Sequence, residues 1–197
     1  MGAPAELVLA TANPGKVREL RRLIAEWGPV GVRSLAGWSH VVLPPEDGAT
    51  YEENAVAKAR AVSEATGLAA LGDDSGLEVV GLDGGPGVRS ARYAATDEAR
   101  IEKLLTALRG RGEAARVARF VCVVALAWPD GRVDTAVGEC HGRIAERPRG
   151  EGGFGYDPVF VVDELGVTFA EASSAEKEAR SHRGRAVRAL GERLAAD

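Results

Sequence analysis

Two aspartates and a serine stand together in Leu71-Gly72-Asp73-Asp74-Ser75-Gly76-Leu77, where an apolar, strand-like run meets a glycine-bracketed turn. Adjacent carboxylates at a strand end are one way for an enzyme to mount a divalent metal and a reacting water. Successive strand side chains point to opposite faces, so Asp73 and Asp74 cannot perform one task identically. One can face a metal or a water while the other orients a ligand or the backbone. The same residues also suit an ordinary turn, where Asp and Gly are favoured.

A second chemically competent segment lies near the N-terminus. Residues 7–10 read as a short buried strand, and Thr11-Ala12-Asn13-Pro14-Gly15-Lys16 leads from it into a helical pattern. Asn13 is a good N-cap, and Pro14 then occupies the first helical position, where its missing N–H costs nothing. Free N–H groups at such a terminus, with the Thr11 hydroxyl, the Asn13 amide and the Lys16 ammonium, would form an anion site suited to a triphosphate. Neither the Walker A pattern nor a Gly-x-Gly-x-x-Gly fingerprint is present.

Taken with three further blocks, these segments resemble a known family. Thr11-x-Asn13-x-x-Lys16, Asp73-Asp74-Ser75-Gly76-Leu77, Ser90-Ala91-Arg92-Tyr93, Gly153-Phe154-Gly155-Tyr156-Asp157-Pro158 and Ser181-His182-Arg183-Gly184 are similar, in order, to the signature blocks of the inosine triphosphatase-like, non-canonical purine nucleoside triphosphate pyrophosphatases. The resemblance runs from residue 7 to about residue 190. It implies an α/β fold in which a long mixed β-sheet with flanking helices forms two lobes around a central cleft, residues 1–197 making a single domain, usually in a homodimer. It also implies Mg²⁺-dependent hydrolysis of ITP, dITP or XTP to the monophosphate and pyrophosphate.

The elements that must position these residues alternate at first between strand and helix, which favours an α/β architecture. Strands are expected over 6–10, 30–35, 68–72, 77–82 and 117–128, with a hairpin partner over 131–146 after the turn signal Pro129-Asp130-Gly131. A further strand is expected at 158–162, after a loop rich in glycine. Helices are expected over 14–27, 51–66 and 97–109, and after Ser173. The 51–66 helix has the best local signals: Thr50 with Glu53 makes a capping box, and Gly67 stands where a C-terminal glycine belongs. On one straight helix Lys177 and His182 would point about 140° apart. Either the helix breaks between them, with Ser181 capping a second helix, or Lys177 sits in the preceding turn.

Composition sets bounds that agree. The 197 residues are 45% hydrophobic, enough to bury a core without staples. The net charge of −4 argues against a general nucleic-acid-backbone binder, which usually carries a strong basic excess. Cys122 and Cys140 lack Cys-x-x-Cys spacing and read as buried thiols of a reducing compartment. No apolar run reaches the length of a membrane span, and the N-terminus lacks signal-peptide features, so a cytoplasmic location is expected.

Several single residues acquire roles only through the resemblance. Glu46, in Pro44-Pro45-Glu46-Asp47-Gly48, otherwise an ordinary turn acid, matches the family's metal-binding glutamate, alongside Asp73 and Asp74. Lys58, in Asn54-Ala55-Val56-Ala57-Lys58, otherwise a surface lysine, matches a triphosphate-binding lysine beside Lys16. Asp74 matches the general base, and Ser75 a phosphate contact. Phe154, Gly155, Tyr156, Asp157, Lys177, Ser181, His182 and Arg183 match the positions that hold a hypoxanthine or xanthine ring. Carboxylates and phosphate oxygens suit Mg²⁺, and only three histidines are present, which disfavours a His-rich transition-metal centre. His40 and His141 read as structural or surface residues. An isolated Asp, with a pKa of about 3.9, is a weak base at neutral pH, so metal activation of the water would have to supply part of the driving force. A phosphatase or pyrophosphatase of other base preference on the same fold, or a non-catalytic nucleotide sensor, remain as alternatives; the sensor has no need of paired carboxylates.

Overall fold

A computed structural model describes residues 2–196. Its elements run β1 (Glu6–Leu9), α1 (Pro14–Ile24), β2 (Gly31–Ser34), α2 (Tyr51–Thr66), β3 (Ala69–Val79), α3 (Asp97–Ala107), β4 (Val117–Ala127), β5 (Val133–Ile144), β6 (Phe160–Val162), α4 (Ser174–Arg180) and α5 (His182–Ala196). The strands form one sheet in the order β2-β1-β3-β4-β5-β6. β1 pairs in parallel with β2 and β3, and β5 pairs antiparallel with β6, so the sheet is mixed as expected. The chain between β4 and β5 turns at Trp128–Arg132, with Gly131 at φ +90°, a short connection that only an antiparallel pair permits.

Two compact units divide the chain. The first comprises residues up to Asp74, Cys122–Gly138 and the chain from Arg183 onward. In it both faces of β1 are covered. Leu7 and Leu9 pack with Leu71, Cys122, Val124 and Leu126 against Leu20, Leu23 and Ile24 of α1 and Val187, Leu190 and Leu194 of α5, whereas Val8, Ala10 and Ala70 pack against Val62 of α2. That two-sided burial explains the uninterrupted apolar run of β1. α5 keeps a glycine in its interior, at a cost of about 1 kcal/mol relative to alanine, because a Cβ at Gly191 would fall 2.6 Å from the Trp27 indole Cδ1. The second unit, Ser75–Val121 with Glu139–His182, packs Leu77, Val79, Phe120, Cys140 and Ile144 with Ile101 and Leu104 of α3 and with Tyr156, Phe160 and Phe169.

The 51–66 helix forms as read, with Thr50 Oγ1 accepting from Glu53 N and Gly67 left-handed at φ +68°. The capping box is only half made, because the Glu53 carboxylate turns to Ala49 N (2.7 Å). The helix after Ser173 does break at Ser181, which adopts an extended conformation between α4 and α5. One expectation fails. Residues 68–72 and 77–82 are not two strands with a turn between them. β3 runs through Gly72-Asp73-Asp74-Ser75-Gly76 without interruption, and only Val80–Leu82 leaves the sheet, as a 3₁₀ turn. The glycine at 72 serves close approach rather than turning. A Cβ there would collide with the Ala55 carbonyl oxygen and lie 2.9 Å from Ala59 N, so β3 rests directly on the α2 backbone.

Candidate active site

Burial inside β3 makes the two aspartates a physical problem. Asp73 is fully buried and Asp74 nearly so, and a buried carboxylate persists as an anion only with compensating partners. The alternation of the strand gives each its own set. Asp73 Oδ2 receives Lys16 Nζ of α1 at 2.9 Å and Arg183 Nε of α5 at 3.2 Å. Arg183, itself buried, also donates through Nη1 to Glu19 Oε2 at 2.5 Å. Burial alone would raise the Asp73 carboxyl, but the charges of Lys16, Arg183 and Lys58 outweigh it and hold the group well below the usual carboxylate range. The same pairing drives Arg183 upward against its burial, so the network is ionised throughout.

Asp74 meets a neutral partner instead. Asn54 Nδ2 of α2 donates to Asp74 Oδ2 at 2.8 Å, and the Asn54 carbonyl accepts Gly48 N at 2.9 Å, which fixes the amide orientation. Here burial dominates and raises the Asp74 pKa, with the Asn54 bond and Lys58 pulling the other way. One turn further along α2, the Lys58 ammonium is paired with the Glu46 carboxylate. Burial would lower Lys58, but the anions of Asp73, Glu46 and Asp74 carry it above its ordinary value. Burial likewise opposes ionisation of Glu46, and Lys58 with Lys16 brings it below the usual range.

At the start of α1 Asn13 is the N-cap, as expected, yet the free N–H groups expected there are not free. Asn13 Oδ1 accepts both Gly15 N (2.8 Å) and Lys16 N (3.2 Å), and Thr11 Oγ1 accepts Asn13 N (3.2 Å). A side-chain cap competes with a ligand for the same donors. The Thr11 hydroxyl, the Asn13 amide nitrogen and the Lys16 ammonium keep donor hydrogens in this segment.

In the second unit the aromatic loop is held from within. Asp157 Oδ2 accepts Phe154 N at 2.8 Å and Lys177 Nζ at 2.7 Å, and the Lys177 ammonium stands 4.6 Å from the centre of the Phe154 ring. The Tyr156 hydroxyl donates to Ser90 O at 3.0 Å, and Gly155 N donates to Asp97 Oδ2 at 2.8 Å. His182 is buried and stacks on Phe120, with ring centres 4.6 Å apart. Ser75 follows Asp74 in β3, half-buried.

The ordered motifs thus fall on two sets of mutually bonded side chains. A model of the Ham1 family matches residues 7–193. The chain belongs to the Ham1 family. Among relatives, a dITP/XTP pyrophosphatase of Thermus thermophilus is 54% identical over 187 residues, covering 94% of this chain and 89% of the relative. One of the same description from Gloeobacter violaceus is 51% identical over 189 residues, covering 93% and 91%. A solved HAM1 protein structure from Coxiella burnetii superposes with a TM-score of 0.87 at 41% identity, covering 98% of this chain and 99% of that one.

Within this Ham1 fold three partners escaped the motif reading. Glu19 stands three residues after Lys16, on the same face of α1, a spacing that could have flagged it. Asn54 lies inside the Asn54-Ala55-Val56-Ala57-Lys58 segment, where the resemblance gives a role only to Lys58. Asp97 reads in sequence as an ordinary first-turn acid, and nothing local points to Gly155.

Proposed function

We propose that this chain hydrolyses non-canonical purine nucleoside triphosphates, ITP, dITP or XTP, to the monophosphate and pyrophosphate, with Mg²⁺ as cofactor. The observation that carries the reading is the unequal treatment of two adjacent buried aspartates. Asp73 is locked as an anion by Lys16 and Arg183, whereas Asp74, oriented by a neutral amide, is kept more basic than an exposed aspartate. A structural pair would need no such difference.

The donor set fits a hard cation. Asp73 Oδ1 is buried with no hydrogen-bond partner among the described residues, an oxygen that a bound ion would satisfy. No group of three or more His, Cys, Asp or Glu side chains forms a metal cage among the described residues, and Mg²⁺ asks for none, since it binds through one or two carboxylates plus substrate phosphates and water. Of Asp73, Asp74 and Glu46, the carboxylates matched by resemblance to a metal site, one or two would hold it, with water and substrate phosphate completing the set. Bound there, Mg²⁺ would neutralise phosphate charge and acidify a water.

The chain's own groups then divide the work. Asp74, oriented by the Asn54 amide, would accept the proton of a water attacking the α-phosphorus. Lys16, Lys58 and the segment Thr11-Ala12-Asn13-Pro14-Gly15, with Ser75, hold the triphosphate and stabilise the departing pyrophosphate. Phe154, Gly155, Tyr156, Asp157, Lys177, His182 and Arg183 hold the base. Hypoxanthine and xanthine carry a 6-oxo acceptor where adenine carries an amino donor, so a donor turned to the base by Lys177, His182 or Arg183 would face another donor when ATP enters. We also take the chain to act as one domain of two lobes, residues 1–197, in a homodimer and in the cytoplasm; no helix among the described residues is long and apolar enough to cross a membrane.

The test is a panel of ITP, XTP, GTP and ATP, with and without Mg²⁺, measured separately for pyrophosphate and orthophosphate. Pyrophosphate from ITP or XTP, with kcat/KM for ATP about 10⁴ lower, is expected from stranding buried donors. Orthophosphate with a diphosphate product, or equal values for ITP and ATP, would overturn the reading in favour of a general nucleotide phosphatase.

A further inference from the structure

The loop that carries Phe154 is held by bonds from three directions. Gly153 and Gly155 flank the aromatic residue at φ +77° and +64°, torsions that glycine adopts without strain, so no side chain of theirs packs to hold the loop. Its shape must come from anchors. Asp157 supplies one from inside the loop, through Phe154 N, and the Tyr156 hydroxyl another, to Ser90 O, the first residue of the Ser90-Ala91-Arg92-Tyr93 block. The third comes from α3: Asp97 Oδ2 accepts Gly155 N at 2.8 Å, across 58 residues of chain.

Asp97 is more tightly specified than a first-turn acid needs to be. Such an acid serves the helix dipole in any rotamer. Here the second oxygen, Oδ1, accepts Arg100 Nη1 at 2.6 Å, and Arg100 Nε is in turn fixed to Ala94 O at 3.0 Å. Both carboxylate oxygens are therefore committed, one to the helix and one to the loop. The hydrogen bond to Gly155 is charge-assisted, the stronger kind, and it seizes the loop between the Phe154 ring and Tyr156.

We infer that Asp97, held by Arg100, is a positioning residue for base recognition: it fixes the 154–157 loop so that the Phe154 ring and the Lys177 ammonium present one arrangement to the purine. The inference rests on the reading of this loop as the base site. The partners of the Asp97 carboxylate are Gly155 and Arg100, neither of them assigned to phosphate chemistry, so its loss falls on base binding and selectivity. Asp97→Ala should raise KM for ITP about tenfold and lower the ITP-to-ATP ratio of kcat/KM by at least as much, with kcat for ITP within about twofold of wild type. Asp97→Asn keeps an acceptor for Gly155 N and should restore most of both. Glu98→Ala removes a first-turn acid of the same helix whose side-chain hydrogen bond is to Thr96 rather than to the loop; it should leave KM and the ratio unchanged, which separates loop positioning from helix stability.

A second readout is independent of substrate. In the ligand-free protein, hydrogen exchange of the Gly155 amide should speed up at least tenfold in Asp97→Ala and not in Glu98→Ala. Wild-type KM and ITP-to-ATP ratio in Asp97→Ala would overturn the inference while leaving the pyrophosphatase reading intact. Absence of ITP hydrolysis in the wild type would remove that reading and the selectivity claim with it. Unchanged exchange at Gly155 would remove the anchor itself.

Discussion

Substituting Gly72 by alanine should damage both stability and turnover, because one methyl group would be driven between two backbones. The new Cβ would overlap the Ala55 carbonyl oxygen and stand 2.9 Å from Ala59 N and 3.2 Å from Ala59 Cβ, where ordinary contact begins at 3.4 Å. None of these is the end of a flexible side chain. α2 must therefore withdraw from β3 by about half an ångström or more, at an overpacking cost of about 1–3 kcal/mol. For a chain of this size that is a fall in Tm of roughly 5 °C. The same movement carries Asn54 away from Asp74 and Lys58 with it, and since a misplacement of about 1 Å can cost 10²-fold in rate, a kcat loss of roughly tenfold is expected. Calorimetry and steady-state pyrophosphate release measure the two effects. Gly67→Ala is the control: φ is +68° with open space around the site, so strain of about 1–2 kcal/mol should lower Tm without changing kcat. A Gly72→Ala protein with wild-type Tm and kcat would refute the packing argument.

Asp74→Asn, nearly isosteric but unable to accept a proton, should lower kcat by about 10² or more with little change in fold; an unchanged kcat would remove the general-base assignment. Arg183→Ala should destabilise by about 3–5 kcal/mol, because it strips a partner from buried Asp73 and from Glu19, and Arg183→Lys should recover only part, since one ammonium cannot reproduce the fork; urea denaturation distinguishes them. Burial pushes the Cys122 thiol up to about 12, so it should resist iodoacetamide at pH 8 in the native protein and react after unfolding in guanidinium. Its folded value lies above the unfolded value of about 8.5, so its contribution to stability is complete below pH of about 8.5 and declines as pH rises toward about 12.

Local signals made much of this fold legible. Thr50 and Gly67 delimit α2, Asn13 and Pro14 start α1, and the angle of about 140° between Lys177 and His182 on a straight helix agrees with the break at Ser181. What was not legible depends on distance in sequence. The Gly155 to Asp97 bond spans 58 residues and the Arg183 to Glu19 bond spans 164, and neither end carries a pattern that names the other. The N–H groups at α1 differ from the expectation for another reason: the residue that starts the helix is also the residue that consumes its donors.

The misreading of Asp73-Asp74-Ser75-Gly76 as a turn is the most instructive, because turn propensity and active-site chemistry select the same residue types. Propensity assumes that a polar residue prefers water to the interior of a strand, and at Asp73 it loses to ion pairs. Lys16 and Arg183 arrive from α1 and α5, elements packed on β3 by the leucines of the same unit. The apolar core thus brings together the charges that make a carboxylate tolerable at full burial. Such a network contributes little to stability alone, since an apolar isostere does as well or better. A strand interior that is polar, fully buried and supported by cations from two separate helices is therefore better explained by what its side chains do than by what they stabilise, and Asp73 Oδ1, without a hydrogen-bond partner among the described residues, is the atom at which that inference is sharpest.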